Sequence, residues 1–197
     1  TTTGAIDSSY ALLAEDWIMS SPALIDELNE DYTMIIEICD GNDPHIVPEH
    51  IGMHIVGIRH KETGNMVPPR LVRKITEHLR GYDQNIHPPS VWPMQSFGDA
   101  VDTISTTQAE GLVAYDPKHS EIITKVKTPH YLSVKAMQRM GTKQADKMFN
   151  QPREFQKRLD EEFYGLHEEI IQLYSVDQWK EMTEAARNQV IRIMIGC

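Results

Sequence analysis

Three charged side chains in one short stretch have the types and spacing for phosphate chemistry. The stretch runs Glu110-Gly-Leu-Val-Ala-Tyr-Asp-Pro-Lys-His-Ser-Glu-Ile-Ile-Thr-Lys-Val-Lys127-Thr-Pro-His-Tyr131. Its apolar runs predict two short strands, Gly111 to Tyr115 and Glu121 to Lys127, joined by a polar turn at residues 116–120. Strand side chains alternate faces, so Lys125 and Lys127 share one side while Val126 points away. Two neighbouring ammonium groups repel unless an anion lies between them. A phosphate meets that need, and Glu110 at the start of the first strand could hold a divalent metal ion on the same phosphate. The pattern equally describes an ordinary edge strand, where lysines block unwanted sheet extension.

Other residues bear on the same chemistry. Glu37 is the single acid in Met34-Ile-Ile-Glu-Ile-Cys39. In a strand covered on both faces it needs a lysine, a metal ion or a ligand hydroxyl as partner, because an unpaired buried charge is expensive. On a half-exposed strand it is simply an acid facing water. Lys135, Arg139, Lys143 and Lys147 recur every four residues, so one continuous helix stacks them on a single face. Such a row is either a solvated surface or a track for a single-stranded RNA backbone. The histidines at 45, 50, 54 and 60 read as surface and loop residues; read as holding neither an H-x-x-x-H nor a C-x-x-C spacing, the chain is expected to have no zinc site. There is no P-loop and no G-x-G-x-x-G, so a glycine-rich phosphate nest is not expected either.

Composition limits the classes. A chain of 197 residues with 40% hydrophobic and 24% charged residues describes a globular protein rather than a disordered tail. No apolar run approaches the ~20 residues of a membrane span, so no membrane partner is expected. The first residues, Thr-Thr-Thr-Gly-Ala-Ile-Asp, lack the basic and apolar regions of a secretory signal. They also lack an initiator Met, and the expectation is a processed or truncated product. Cys39 and Cys197 are too few for a disulfide framework, and a cytoplasmic location follows as the expectation. A net charge of -10 argues against a general nucleic-acid binder. Residues 118–147 are the exception, with seven cations against only Glu121 and Asp146. One basic segment in an acidic chain suggests a local anion site.

Pattern and punctuation give the elements that must position these residues. Asp7, Ser8 or Ser9 can cap a helix that ends near Ser20, and Pro22 opens a second helix running to about Glu30. Tyr32 to Cys39 and Met53 to His60 read as strands, with Ile46-Val47 a short strand between them. A helix is expected from Arg70 to about Arg80, an irregular loop from Gly81 to Pro93, and a helix from Met94 to Ser105. After Pro129 no convincing strand remains, and helices are expected at 130–140, 152–173 and 176–195, with Pro152 and Ser175 marking two starts. The fold class is therefore α+β, with residues 1–130 carrying a mixed or antiparallel sheet and residues 131–197 all helical.

Glu110-Gly-Leu-Val-Ala followed by Lys125-Val-Lys127 resembles the last two nucleotidyltransferase motifs of the covalent ligase and capping-enzyme superfamily, whose catalytic domain is ATP-grasp-like. The trailing Thr128-Pro-His-Tyr-Leu-Ser133 is similar to phage RNA ligases that repair cleaved tRNA. Ile36-Glu37-Ile38 with the following turn resembles the family segment in which an acid lines the nucleotide pocket, and Thr1 to Ile6, with Gly4, resembles the motif before it. Thr3 stands where that motif often has a basic residue.

The resemblance implies an ATP-dependent RNA ligase, in which AMP passes from ATP to a lysine, then to an RNA 5′-phosphate, and is displaced by a 3′-hydroxyl. It implies ATP or AMP and Mg²⁺ as cofactors, Lys125 and Lys127 on the nucleotide phosphate, Glu110 on the metal, and Glu37 and Gly4 in the nucleotide pocket. The helical end, with Lys135, Arg139, Lys143 and Lys147, is implied to touch RNA. The superfamily's nucleophile motif, Lys-x-Asp-Gly, is absent from these residues; Lys61-Glu-Thr-Gly64 has Thr where Asp is required. The nucleophile lysine is thus expected on an N-terminal partner segment. DNA ligases and capping enzymes share these motifs but usually continue into a β-rich domain. A non-catalytic RNA- or nucleotide-binding remnant is the other alternative.

Overall fold

The computed structural model describes residues 8–27, 29–41, 45–47, 49–94, 96–116 and 121–196. The expected strand end at Thr1 to Ile6, with Gly4, lies outside them, as do residues 117–120 of the hairpin turn. The chain is α+β and divides into two units. One comprises Thr1–Asp43, Glu49–Pro93 and Ala114–Thr124; the other comprises Pro44–Pro48, Met94–Val113 and Lys125–Cys197. The units interleave along the chain rather than meeting at a single cut near residue 130.

The first unit is built on a three-stranded mixed sheet. Strand β1 (Tyr32–Cys39) pairs antiparallel with β2 (Gly52–His60), and β2 pairs parallel with β3 (Ile86–His87). Alternation decides the faces. Met34, Ile36 and Ile38 of β1, Met53 and Ile55 of β2 and Ile86 of β3 belong to one apolar cluster with Leu24, Val72 and Leu79. Glu37, His54 and His87, in register across the three strands, therefore lie on the opposite face. A bulge between Ile35 and Ile36 lets Ile58 rejoin the core face beyond it.

Helix α3 (Pro69–Arg80) covers the core face with Val72, Thr76 and Leu79, which recur at helical spacing. Burying Val72 and Leu79 contributes about 1.5–3 kcal/mol each. The Thr76 hydroxyl stays satisfied by donating to the Val72 carbonyl at 2.8 Å. Pro69 begins this helix, where a missing N–H costs nothing. Helix α1 (Ser9–Met19) starts after Ser8, whose Oγ accepts from the Ala11 amide. Helix α2 (Pro22–Asp26) is shorter than its composition predicts.

Strand β3 falls in the stretch expected to be irregular. Two residues carry too little pattern to read. What fixes them is Gly52 at φ 140°, where a side chain's Cβ would sit 2.2 Å from the Asn85 carbonyl oxygen. That close approach lets the Met53 amide donate to Asn85 at 2.8 Å, and the parallel pair forms beside it.

The second unit is helical apart from the base of a hairpin. Helix α4 (Phe97–Thr106) carries a capping box, Ser96 with Asp99. Strands β4 (Gly111–Tyr115) and β5 (Ile122–Lys127) form a two-stranded sheet. Then come α5 (Pro129–Gln138), α6 (Thr142–Asn150), α7 (Pro152–Gln156), a 3₁₀ turn at Glu161–Phe163, α8 (Tyr164–Leu173), α9 (Val176–Glu181) and α10 (Glu184–Ile195). Met137, Met148, Phe155, Ile170, Trp179 and Ile191 are fully buried at its centre.

The long helices expected at 152–173 and 176–195 are each broken, and caps explain why. Asp160 accepts from Glu162 at the 3₁₀ turn inside the first, and Thr183 accepts from Ala186 inside the second, while Ser175 caps the expected start between them in a capping box with Gln178. Short polar side chains at these points offer the backbone a better bond than helix continuation does. Ile46-Val47 is not a strand. Both residues pack into this helical core, and the His45 carbonyl accepts from Asn188 Nδ2 at 2.9 Å and Arg192 Nη2 at 2.7 Å.

Candidate functional site

The base of the β4–β5 hairpin brings together what the sequence singled out there. The Asp116 amide donates to the Glu121 carbonyl at 2.8 Å at one end, and the Thr128 amide donates to the Glu110 carbonyl at 3.1 Å at the other. Between these ends Gly111 is pressed against the second strand. A Cβ on it would stand 2.3 Å from the Val126 carbonyl oxygen and 3.0 Å from Lys127 Cα. Glycine is required because both neighbours are backbone atoms that cannot rotate away. The Glu-Gly pair therefore has a mechanical meaning: Gly111 admits the second strand, and that approach sets the Glu110 carboxylate opposite Lys127.

Glu110 and Lys127 form an ion pair, with side chains 38% and 44% exposed. At that exposure the pair is worth no more than about 1 kcal/mol, so a competing ligand can part it cheaply. The Lys127 ammonium also lies over the Tyr131 ring, 4.8 Å from its centroid, and Lys135 lies over the same ring at 5.3 Å. An aromatic face attracts cations electrostatically, so this buried tyrosine gathers both ammonium groups around one ring. Lys125 is exposed on β5 and shares its strand face with Lys127.

Thr128 locks this arrangement to α5. Fully buried, its hydroxyl donates to the Ala109 carbonyl at 2.7 Å and accepts from the Tyr131 amide at 3.0 Å. It thus caps α5 while tying the helix to the start of the hairpin, and Pro129 occupies the first helical position. His130 points elsewhere. Its ring meets Phe163 edge-on at 5.3 Å and borders a recess of about 120 Å³ with Asp160 and Glu162. Burial holds its pKa below the ordinary value, with Glu162 opposing that shift.

The basic row does not form one stripe. Helix α5 stops at Gln138, Arg139 leaves helical geometry at φ -95°, ψ 84°, and α6 starts afresh at Thr142. Arg139 is paired with Glu184, and Lys135 belongs to the Tyr131 cluster. Lys143 is exposed and Lys147 half-buried on α6. Glu37 is exposed on β1 in the other unit, opposite His54 in register; the cost of a buried charge does not arise there. Gly4 lies outside the described residues.

Two contributors escaped sequence reasoning. Tyr131 and Thr128 stand in the quoted motif without a role, although Thr-Pro before an apolar run is a helix-start signal that points to Thr128. The histidines at 50 and 54 stand at the H-x-x-x-H spacing, and the sheet adds His87 beside them: its ring stacks on His54 at 4.7 Å and on His50 at 5.5 Å. Among the described residues no helix is long and apolar enough to cross a membrane. Comparison of the chain with protein-family models, with curated proteins and with solved structures gives no match.

Proposed function

We propose that the chain is the phosphate- and metal-handling part of an ATP-dependent RNA ligase that joins 5′-phosphate and 3′-hydroxyl RNA ends through AMP intermediates, with tRNA repair as its setting. One observation carries the reading. The two motifs that resemble the ligases meet at the hairpin base as a carboxylate, Glu110, against an ammonium, Lys127, with a second lysine over the same tyrosine. Nucleotidyl transfer gains most from positioning and charge neutralisation, and this cluster can supply both.

In this reading Lys127 moves from Glu110 to the nucleotide α-phosphate, and Lys125 on the same strand face donates to the same group. Their ammonium hydrogens stabilise the charge that grows on the phosphate oxygens as the bond to the leaving group lengthens. The freed Glu110 carboxylate, a hard oxygen donor, fits Mg²⁺, which when bound neutralises further phosphate charge. Glu37 and Gly4 belong to the nucleotide pocket by resemblance. Lys135, Arg139, Lys143 and Lys147 meet the RNA backbone, so the helical unit governs RNA choice. The nucleophile lysine comes from a segment outside these 197 residues, none of which spells Lys-x-Asp-Gly.

The test is labelling by ATP radioactive at the α-phosphate. These 197 residues alone should take no label, and the same chain joined to a segment bearing Lys-x-Asp-Gly should. Lys127→Ala in the joined protein should abolish the label. Label on the 197 residues alone, or an unaffected Lys127→Ala protein, overturns the assignment.

A further inference from the structure

The geometry points to a binding site for a zinc-type transition-metal ion on the first unit, formed by Cys39, Glu49 and His54. This inference does not rest on the ligase reading. Ligand atoms of the three residues all lie within 4.8 Å of one another. Each arrives by a different route: Cys39 ends β1, His54 sits on β2, and Glu49 comes from the segment just before β2.

The sheet explains why they converge. Glu37 pairs with His54 in the β1–β2 register, and Cys39, two residues beyond Glu37, shares its face. That face is the one turned away from the apolar core, yet Cys39 is only 3% exposed. A cysteine buried in a hydrophobic core behaves as a small apolar residue; this one has the Glu49 and His54 side chains beside its sulfur. Its sulfur contacts the Glu49 carboxylate at 2.8 Å, with the thiol as donor. A carboxylate in contact with a thiol competes for its proton, and a metal ion takes the place of that proton.

The donor set selects the ion. A thiolate, an imidazole and a carboxylate together suit Zn²⁺ and disfavour Mg²⁺ or Ca²⁺, which prefer all-oxygen sites. Thiolate and carboxylate also balance the two charges of the ion, so the occupied site is neutral and tolerates the buried sulfur. The histidine is prepared for ligation. His54 Nε2 lies 2.7 Å from the His50 carbonyl oxygen, which can only accept. Nε2 therefore carries the proton and Nδ1 keeps the lone pair. A ligating imidazole usually donates its other N–H to just such a partner.

The distances fit as well. Around a tetrahedral zinc, with bonds of about 2.0–2.3 Å, ligand atoms stand roughly 3.5 Å apart. The group closes to that spacing by turning the exposed Glu49 and half-exposed His54 side chains, with a slight widening at the thiol. Three protein ligands leave the fourth position to water, as in an open site. Because the thiol must lose its proton, binding releases a proton and strengthens as pH rises.

Cobalt(II) titration of the full chain tests the site. Carried out in the Cys197→Ser background, it leaves Cys39 as the single thiol. One equivalent of Co²⁺ is expected to bind with a near-ultraviolet sulfur-to-cobalt charge-transfer band, and Zn²⁺ should displace it. Cys39→Ser should remove the band, His54→Gln and Glu49→Gln should each weaken binding at least tenfold, and His60→Gln should leave it unchanged. Binding without the charge-transfer band, such as capture by the stacked histidines alone, overturns the proposal. So does an undiminished affinity in His54→Gln or Glu49→Gln, whose side chains are not fully buried and which keep the test open if Cys39→Ser fails to fold.

Discussion

Substituting Gly111 by alanine adds one methyl group and should open the hairpin on which the proposed site depends. Its Cβ would stand 2.3 Å from the Val126 carbonyl oxygen and 3.0 Å from Lys127 Cα. Carbon-to-oxygen contacts between adjacent strands normally settle at about 3.3–3.6 Å, so β4 and β5 must part by roughly 1 Å. Both obstacles are backbone, and one flanks the hydrogen bond from the Thr128 amide to the Glu110 carbonyl. Forcing a group into such a contact costs about 1–3 kcal/mol. The same change at Gly165 in α8, where a Cβ would meet nothing within 4 Å, should instead stabilise by about 0.5 kcal/mol through helix propensity. Urea unfolding followed by circular dichroism reads both variants, and opposite signs are expected. Equal stability of Gly111→Ala and the parent chain would refute the close approach, and with it the structural reason for a glycine after Glu110.

Other substitutions probe the α5 cap, a buried histidine and the ion pair. Thr128→Val keeps the shape of a fully buried side chain but deletes the bonds to Ala109 and Tyr131; it should cost about 1–3 kcal/mol, and an unchanged urea midpoint would show that the cap is idle. His167 is buried, and burial lowers its pKa against the opposing Met148 carbonyl bond and Glu168. The unfolded chain takes the proton first, so stability should be full above about pH 6.5 and fall below it. His167→Asn should flatten that slope, and an identical pH dependence in the variant would exclude the histidine as its source. Glu110→Gln should free Lys127 at a gain of at most about 1 kcal/mol, raising ATP affinity without Mg²⁺ up to about fivefold and removing any enhancement by Mg²⁺. Calorimetric titration with and without the metal decides it, and an enhancement that survives in Glu110→Gln would place the metal elsewhere.

Strands β1, β2, β4 and β5 were legible to within a residue because each is a β-branched run closed by a turn or polar cluster. Helix α3 was equally plain, with Pro69 ahead of an apolar periodicity. The failures share a cause. Strand β3 has two residues and exists because Gly52 lets Asn85 approach, a contact between positions 33 apart that no local window contains. Ile46-Val47 has strand composition, but the bonds from Asn188 and Arg192 to His45 draw it into the helical core. Tertiary contact overrode propensity at both places. The breaks at Asp160 and Thr183 were visible in principle, since each is a short polar residue able to cap the next helical turn.

At the candidate site the same distinction separates what composition shows from what only packing shows. Residue types named Glu110 and Lys127, and strand alternation placed Lys125 beside Lys127. Neither could show that Glu110 and Lys127 neutralise each other, because their meeting depends on the Gly111 contact. Nor could it show that Lys135, seemingly one member of a helical row, shares Tyr131 with Lys127. Two lysines on one strand would repel in the absence of an anion. Here one is held by a carboxylate and a ring face, and in the proposed function a ligand exchanges with Glu110 to release that charge. A phosphate carrying its own metal ion suits that exchange better than a bare anion does, since the cation takes over the carboxylate as the phosphate takes over the lysine. In the proposed function, the ion pair that first looks like an obstacle to phosphate binding would be the feature that couples a phosphate to its metal.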